Sequence, residues 1–129
     1  MNTHEKVESY LLRLSLSYQE TGKDAWVVSD RDKGIDSLFV ALADSLVVMR
    51  VNVADAPKAK REALFTDLLK LNATDMVHGA YALDGEKIVI VDTLEGETMD
   101  IEEFQASVEA IGLALSQHFK VLAKYLKKE

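Results

Sequence analysis

The sequence contains no cysteine, one proline and only six glycines among its 129 residues. Without cysteine the chain can form neither a disulfide nor a cysteine-ligated zinc or iron–sulfur site, and thiolate catalysis is excluded. The glycine patterns of phosphate-binding loops, dinucleotide-binding folds and serine hydrolases do not occur in it. These absences exclude several large classes of enzyme and metalloprotein.

Positive charge is also scarce. Fifteen Lys and Arg residues stand against 22 Asp and Glu, which gives a net charge of −7. Binding to a phosphate backbone needs clustered Lys and Arg, so we expect no nucleic-acid partner. No apolar run reaches the roughly 18 residues of a membrane-spanning helix, and Met1–Lys6 lacks the apolar core of a signal peptide. We therefore expect a cytoplasmic protein without membrane contact.

The residues that are present have the balance of a folded protein. Hydrophobic residues make up 48% of the chain and charged residues 29%, which is typical of globular domains. No linker, repeat or low-complexity stretch interrupts the sequence, and its length matches one domain. We expect a single domain over residues 1–129 that buries enough surface to fold without a disulfide or a metal.

Apolar spacing predicts an α+β fold of order α-β-β-β-α-β-β-α, with an antiparallel sheet and helices packed on one face. Asp44-Ser45 and Asp84-Gly85 are hairpin turns, and they place Val40 opposite Met49 and Tyr81 opposite Ile88. The predicted elements are a helix from Thr3 to Gly22, strands at 25–28, 38–43 and 46–53, a helix capped by Asp55 and ending at Asn72, strands at 79–83 and 86–93, and a helix from Asp100 to Lys127.

Apolar side chains exceed what one core needs, and they mark two candidate interaction surfaces. At 100° per residue, Leu12 and Leu16 point away from the core stripe of the first helix. Strand alternation puts further apolar residues on the sheet face opposite Met49. The candidate protein-binding residues are Leu12, Leu16, Phe39, Leu46, Val48 and Val89. Either surface could bind a client segment or a second copy of the chain. Between the two surfaces, we expect the dimer contact on the sheet face rather than on the helix.

The residue pattern predicts no catalytic residue, no cofactor and no metal site. The three histidines, His4, His78 and His118, lie far apart in sequence and form no i, i+4 pair. We expect His118, on the apolar side of the last helix, to be a hydrogen-bonded core or interface residue. The carboxylates near Asp100 are favoured by the helix dipole alone, so we interpret them as a solvated acidic surface.

Three segments together resemble a known family. They are Leu68-Leu69-Lys70-Leu71-Asn72, His78-Gly79-Ala80-Tyr81-Ala82-Leu83-Asp84-Gly85-Glu86-Lys87-Ile88-Val89-Ile90 and Asp100-Ile101-Glu102-Glu103-Phe104. In order and content they resemble the YbjN-type family of the type III secretion chaperone superfamily, also described as Tir-chaperone-like proteins or sensory transduction regulators. The resemblance implies a chaperone-like fold, a homodimer and no cofactor.

The function implied is that of a non-catalytic protein-binding module that holds a peptide segment of a partner. The alternative is a regulatory or sensory accessory domain, YbjN-like, that binds a protein or a small ligand.

Overall fold

A six-stranded antiparallel sheet and four helices make up the computed structural model, which describes residues 1–126. The strand order across the sheet is β1-β2-β3-β4-β6-β5. In chain order the elements are α1 (Thr3–Arg13), β1 (Ser17–Gly22), β2 (Ala25–Asp30), a short 3₁₀ turn (Arg31–Lys33), β3 (Ile35–Ala43), β4 (Leu46–Asp55), α2 (Arg61–Thr74), β5 (Ala80–Asp84), β6 (Lys87–Glu95), α3 (Ile101–Gln117) and α4 (Phe119–Leu126).

The core lies between one face of the sheet and the helices. Trp26, Val40 and Met49 are cross-strand neighbours on this face and are buried. All four helices contribute buried apolar side chains to the same cluster. The predicted α+β class and the helices on one face are confirmed, as is the Val40–Met49 pairing about the Asp44-Ser45 turn.

The first helix is shorter than predicted, and a strand follows it. α1 ends at Arg13 because the next residues leave helical geometry: Ser15 has a φ of 57°, in the left-handed region. The chain then pairs with β2 from Ser17 onward. The prediction of one helix to Gly22 is wrong, and the sheet gains a strand that the sequence pattern did not indicate.

The second helix also begins later than predicted. Asp55 is the last residue of β4, where it pairs with Lys87 of β6, and it caps no helix. α2 starts at Arg61, after Lys60 in the left-handed region with no side-chain cap. Strand pairing holds the chain extended through Asp55, because alternate residues of this segment satisfy their backbone groups in the ladder with β6.

The second hairpin turns one residue later than predicted. Gly85, with a φ of 60°, and Glu86 form the turn, so Tyr81 lies opposite Ile90 and not Ile88. The error shifts the register by two residues. An even shift leaves each side chain on its predicted face, since successive side chains alternate between faces.

The last helix is divided at His118 into α3 and α4, where one continuous helix is predicted. Its predicted end at Lys127 lies outside the described residues. Asp100 and Glu103 form the predicted capping box at its start, with backbone hydrogen bonds of 2.8 and 3.0 Å. Within residues 1–126, none of the helices combines the length and apolar character that spanning a membrane requires.

Candidate functional site

The sheet face opposite the core is the first candidate surface. Phe39 is 42% exposed, and Leu46 and Val48 are partly buried on it. Their cross-strand neighbours on this face are Val27, Ala41 and Ala43 on one side, and Arg50, Thr93 and Glu95 on the other. We call the partly exposed residues Val27, Phe39, Ala41, Leu46, Val48, Ala80, Ala82 and Val91 the open sheet face.

Val89 also belongs to this face by register, yet it is only 1% exposed. An ion pair explains its burial. Arg50 lies opposite Val91, and its guanidinium reaches Asp84 at 2.5 Å. Asp84 is paired with Lys87, on the far side of Val89 along β6, so the Arg50 side chain crosses over Val89. The expectation that Val89 is an accessible binding residue is wrong.

The two leucines predicted to lie together on the back of α1 occupy different environments. Leu12 is 66% exposed, but Leu16 follows the helix and is 5% exposed within the core. The expectation that Leu16 forms an exposed pair with Leu12 is therefore wrong, because helical spacing does not apply beyond Arg13. α1 packs on the core side of the sheet, so Leu12 and Phe39 belong to different surfaces.

A groove between α4 and the sheet is the second candidate surface, and the sequence pattern did not reveal it. Its volume is about 780 Å³, within the usual range for ligand pockets. Leu122 and Val51 are buried at its base, while Phe119 is 68% exposed at its rim. The groove is lined by Gly34, Asp36, Ser37, Phe39, Val51, Asn52, Val53, Leu115, Phe119, Leu122, Ala123 and Leu126.

The groove opens where two strands diverge. The ladder between β3 and β4 ends at the Phe39–Arg50 pair. Beyond it, β3 continues beside β2, with Leu38 opposite Val28, and β4 continues beside β6, with Val51 opposite Ile90. The residues of both strands that line the groove come from these diverging ends. Main-chain edges therefore border an apolar cleft.

Close packing of α3 fixes one end of the groove. A side chain at Gly112 would overlap the carbonyl oxygen of Lys33, and a Cβ at Gly34 would lie 2.9 Å from the Ser116 hydroxyl. Gly34 also has a φ of 77°, which glycine adopts without strain. These two glycines let the end of α3 lie directly against the chain that leads into β3.

His118 fixes the direction of α4 at the other end. Its imidazole is 3% exposed, with Nδ1 2.8 Å from the Tyr81 hydroxyl and Nε2 3.2 Å from an Asp75 carboxylate oxygen. Tyr125 of α4 donates to Asp67 of α2 at 2.6 Å. The prediction that His118 is a hydrogen-bonded core residue is confirmed, and these hydrogen bonds attach the α3–α4 junction and α4 to β5 and α2.

Burial and hydrogen bonding shift the pKa values of two groups around His118, the Tyr81 phenol and the Asp75 carboxyl. Desolvation raises the pKa of Tyr81 to about 12, with a smaller contribution from the Asp75 charge. The Thr74 hydroxyl, followed by His118, lowers the pKa of the Asp75 carboxyl. Both shifts favour a neutral Tyr81 and an ionised Asp75 at neutral pH, which are the states that hydrogen-bond to His118.

Several solved structures share this fold. The chain superposes on YbjN from E. coli, provisionally described as a transcription regulator, with a TM-score of 0.70, 20% identity and 92% coverage of both chains. A second similar structure is the ExoU–SpcU heterodimer of the Pseudomonas aeruginosa type III secretion system. It has a TM-score of 0.70 and 11% identity, with coverage of 86% of this chain and 93% of that one.

A third is the Yersinia pestis type III secretion chaperone SycH with a fragment of YscM2. Its TM-score is 0.66 at 12% identity, with 90% of this chain and 98% of that chain covered. At these identities the likeness shows the fold alone. No curated protein sequence matches the chain. A family model does match, over residues 1–128. The chain therefore belongs to the CesT_Tir_1 family, whose type III chaperone fold the sheet and helices share.

Proposed function

We propose that the protein is a non-catalytic, chaperone-like module of the cytoplasm that acts as a homodimer and holds an extended peptide segment of a partner protein in the groove. The observation that carries this proposal is the divergence of β3 and β4 beneath α4, which combines an apolar cleft with strand edges. Two structures that share the fold are complexes of two proteins: the ExoU–SpcU heterodimer, and the chaperone SycH with a fragment of YscM2.

The groove suits an extended segment better than a compact ligand. Each diverging strand contributes three or so residues to its wall, about 10 Å of strand at the usual rise per residue. An extended peptide can pair its main chain with such an edge and place alternate side chains in the apolar base. Because area and main-chain pairing supply most of the binding, the site should accept segments of varied sequence.

Phe119 provides the sharpest test of the groove. Phe119→Glu places a charge at the rim, and Leu69→Glu on α2 is its matched control. Both side chains are 68% exposed, and Leu69 does not line the groove. We expect both variants to fold, since neither side chain is buried. Only Phe119→Glu should lose the partner that co-purifies with the chain from its native host, identified by mass spectrometry. Retention of that partner by Phe119→Glu would contradict the proposal.

A regulatory or sensory accessory domain is the second candidate, and the likeness to YbjN favours it. The two functions differ in what the partner presents. A photo-crosslinking amino acid at position 119 should label one short contiguous segment of the partner if the groove holds an extended peptide. Labels on residues distant in the partner's sequence, as on a folded surface, would support the regulator instead.

A further inference from the structure

Three side chains with metal-binding atoms converge at the β1 edge of the sheet, and none of them lines the groove. His4 and Glu8 lie one turn apart on α1. Glu20 of β1 pairs with the buried Trp26, so the register directs it toward the core side of the sheet, where α1 lies. One ligand atom from each of His4, Glu8 and Glu20 falls within 4.8 Å of the other two.

Two neighbouring groups orient the first two side chains. The Nδ1 atom of His4 lies 2.8 Å from an Asp24 carboxylate oxygen, which leaves Nε2 directed at Glu8 at 3.5 Å. One oxygen of Glu8 accepts a hydrogen bond of 3.1 Å from the Trp26 indole, which leaves the other oxygen toward His4. A carboxylate behind the imidazole is the usual support of a metal-ligating histidine.

From this arrangement we propose that His4 Nε2, Glu8 and Glu20 form a binding site for one divalent transition-metal ion of the zinc type, with Asp24 as a positioning residue. One imidazole nitrogen and two carboxylates suit Zn²⁺, whereas Mg²⁺ and Ca²⁺ prefer oxygen ligands alone. Metal–ligand bonds of about 2.0–2.2 Å require the three atoms to draw closer than 4.8 Å. Glu20 is exposed, so its side chain is free to rotate and bring its carboxylate closer to His4 and Glu8.

An ion pair is the competing explanation for the same cluster. A protonated His4 between Glu8 and Asp24 satisfies those two carboxylates without any metal. Neither of these two ion pairs includes Glu20, whereas the metal site requires it as a ligand. Glu20 therefore distinguishes the two explanations, and as an exposed residue of the edge strand it can be changed with little effect on folding.

The experiment is titration calorimetry of the full chain with ZnCl₂, then with MgCl₂. We expect one Zn²⁺ per chain and no Mg²⁺ binding. Glu20→Gln and His4→Ala should abolish the Zn²⁺ heat, and Asp24→Asn should weaken affinity about 10–100-fold. His78→Ala is the control and should bind as the unaltered chain does. Far-ultraviolet circular dichroism confirms that each variant is folded. Unchanged Zn²⁺ binding in Glu20→Gln, or no binding by the unaltered chain, overturns the proposal.

Discussion

At the scale of single residues, His118 shows how one buried polar side chain is stabilised by its partners. Its Nδ1 atom hydrogen-bonds to the Tyr81 hydroxyl and its Nε2 atom to the Asp75 carboxylate. His118 therefore joins the α3–α4 junction to β5 and to the end of α2. A buried polar group without a partner costs more than the hydrogen bond contributes when it is made. The losses of stability caused by replacing His118 and by replacing Tyr81 should therefore not be additive.

We predict that His118→Phe destabilises the protein by about 1–3 kcal/mol, because the Tyr81 hydroxyl is then buried without its partner. The measurement is urea denaturation. Tyr81→Phe in the His118→Phe background removes that hydroxyl and should recover part of the loss. Strictly additive losses in the double-mutant cycle would show that the two side chains do not depend on each other.

Tyr81 also predicts an alkaline dependence of stability. Its pKa in the folded protein is raised from 10.0 to about 12, chiefly by burial. The folded state therefore favours the neutral phenol, and the stability linked to it is complete below pH 10 and is lost as pH rises from 10 toward 12. Tyr81→Phe should flatten the fall in unfolding free energy across this window. An unchanged slope would mean that another group controls it.

At the scale of elements, the contact between α3 and the 3₁₀ turn predicts an unusual response to alanine. Alanine in a helix interior is normally favoured over glycine by about 1 kcal/mol. At Gly112, however, the new methyl group would overlap the Lys33 carbonyl oxygen, which belongs to the backbone and cannot rotate away. We expect Gly112→Ala to lower the midpoint of thermal unfolding. Gly22→Ala, where nothing lies within 4 Å, is the control and should change it little.

Local signals predicted some elements because those elements are specified locally. The capping box at Asp100 and the turn at Asp44-Ser45 depend on adjacent residues, and both are confirmed. The strand β1 was missed because its Ser17–Gly22 sequence is polar at an exposed sheet edge, so it carries no apolar alternation. The break at His118 was missed because no local signal marks it, and the partners of its imidazole, Asp75 and Tyr81, lie some 40 residues away in the sequence.

The candidate surfaces follow the same division. Phe39 and Val48 were predicted on the open sheet face because alternation within a hairpin is local. The groove depends on where the β3–β4 ladder ends and on the angle of α4, and neither is encoded in a short stretch of sequence. For the proposed metal site of His4, Glu8 and Glu20, the sequence contains one local indication, the i, i+4 spacing of His4 and Glu8. Glu20 joins them only through the sheet register.

At the scale of the whole molecule, the open sheet face is the surface through which we expect the proposed homodimer to form. A stable interface buries about 800 Å² on each partner, and this face carries small and apolar side chains on β2, β3, β4, β6 and β5, with the Arg50–Asp84 ion pair crossing over β6. The exposed Leu12 is a single large apolar side chain on another surface. Single exposed apolar residues are common on monomers, whereas contiguous patches indicate contacts.

We therefore predict that light scattering at micromolar concentration gives about twice the 14.3 kDa chain mass. Val48→Glu, which places a charge at the centre of the open sheet face, should shift the protein to a monomer because an unpaired charge is costly in a dry interface. Leu12→Glu is the matched control and should leave the dimer intact, since α1 lies on the other side of the sheet. Val48 is only partly buried in one chain, so the variant should keep its fold by circular dichroism. If the unaltered chain is a monomer, or if Leu12→Glu alone dissociates it, the open sheet face is not the dimer contact and is free to serve the partner protein.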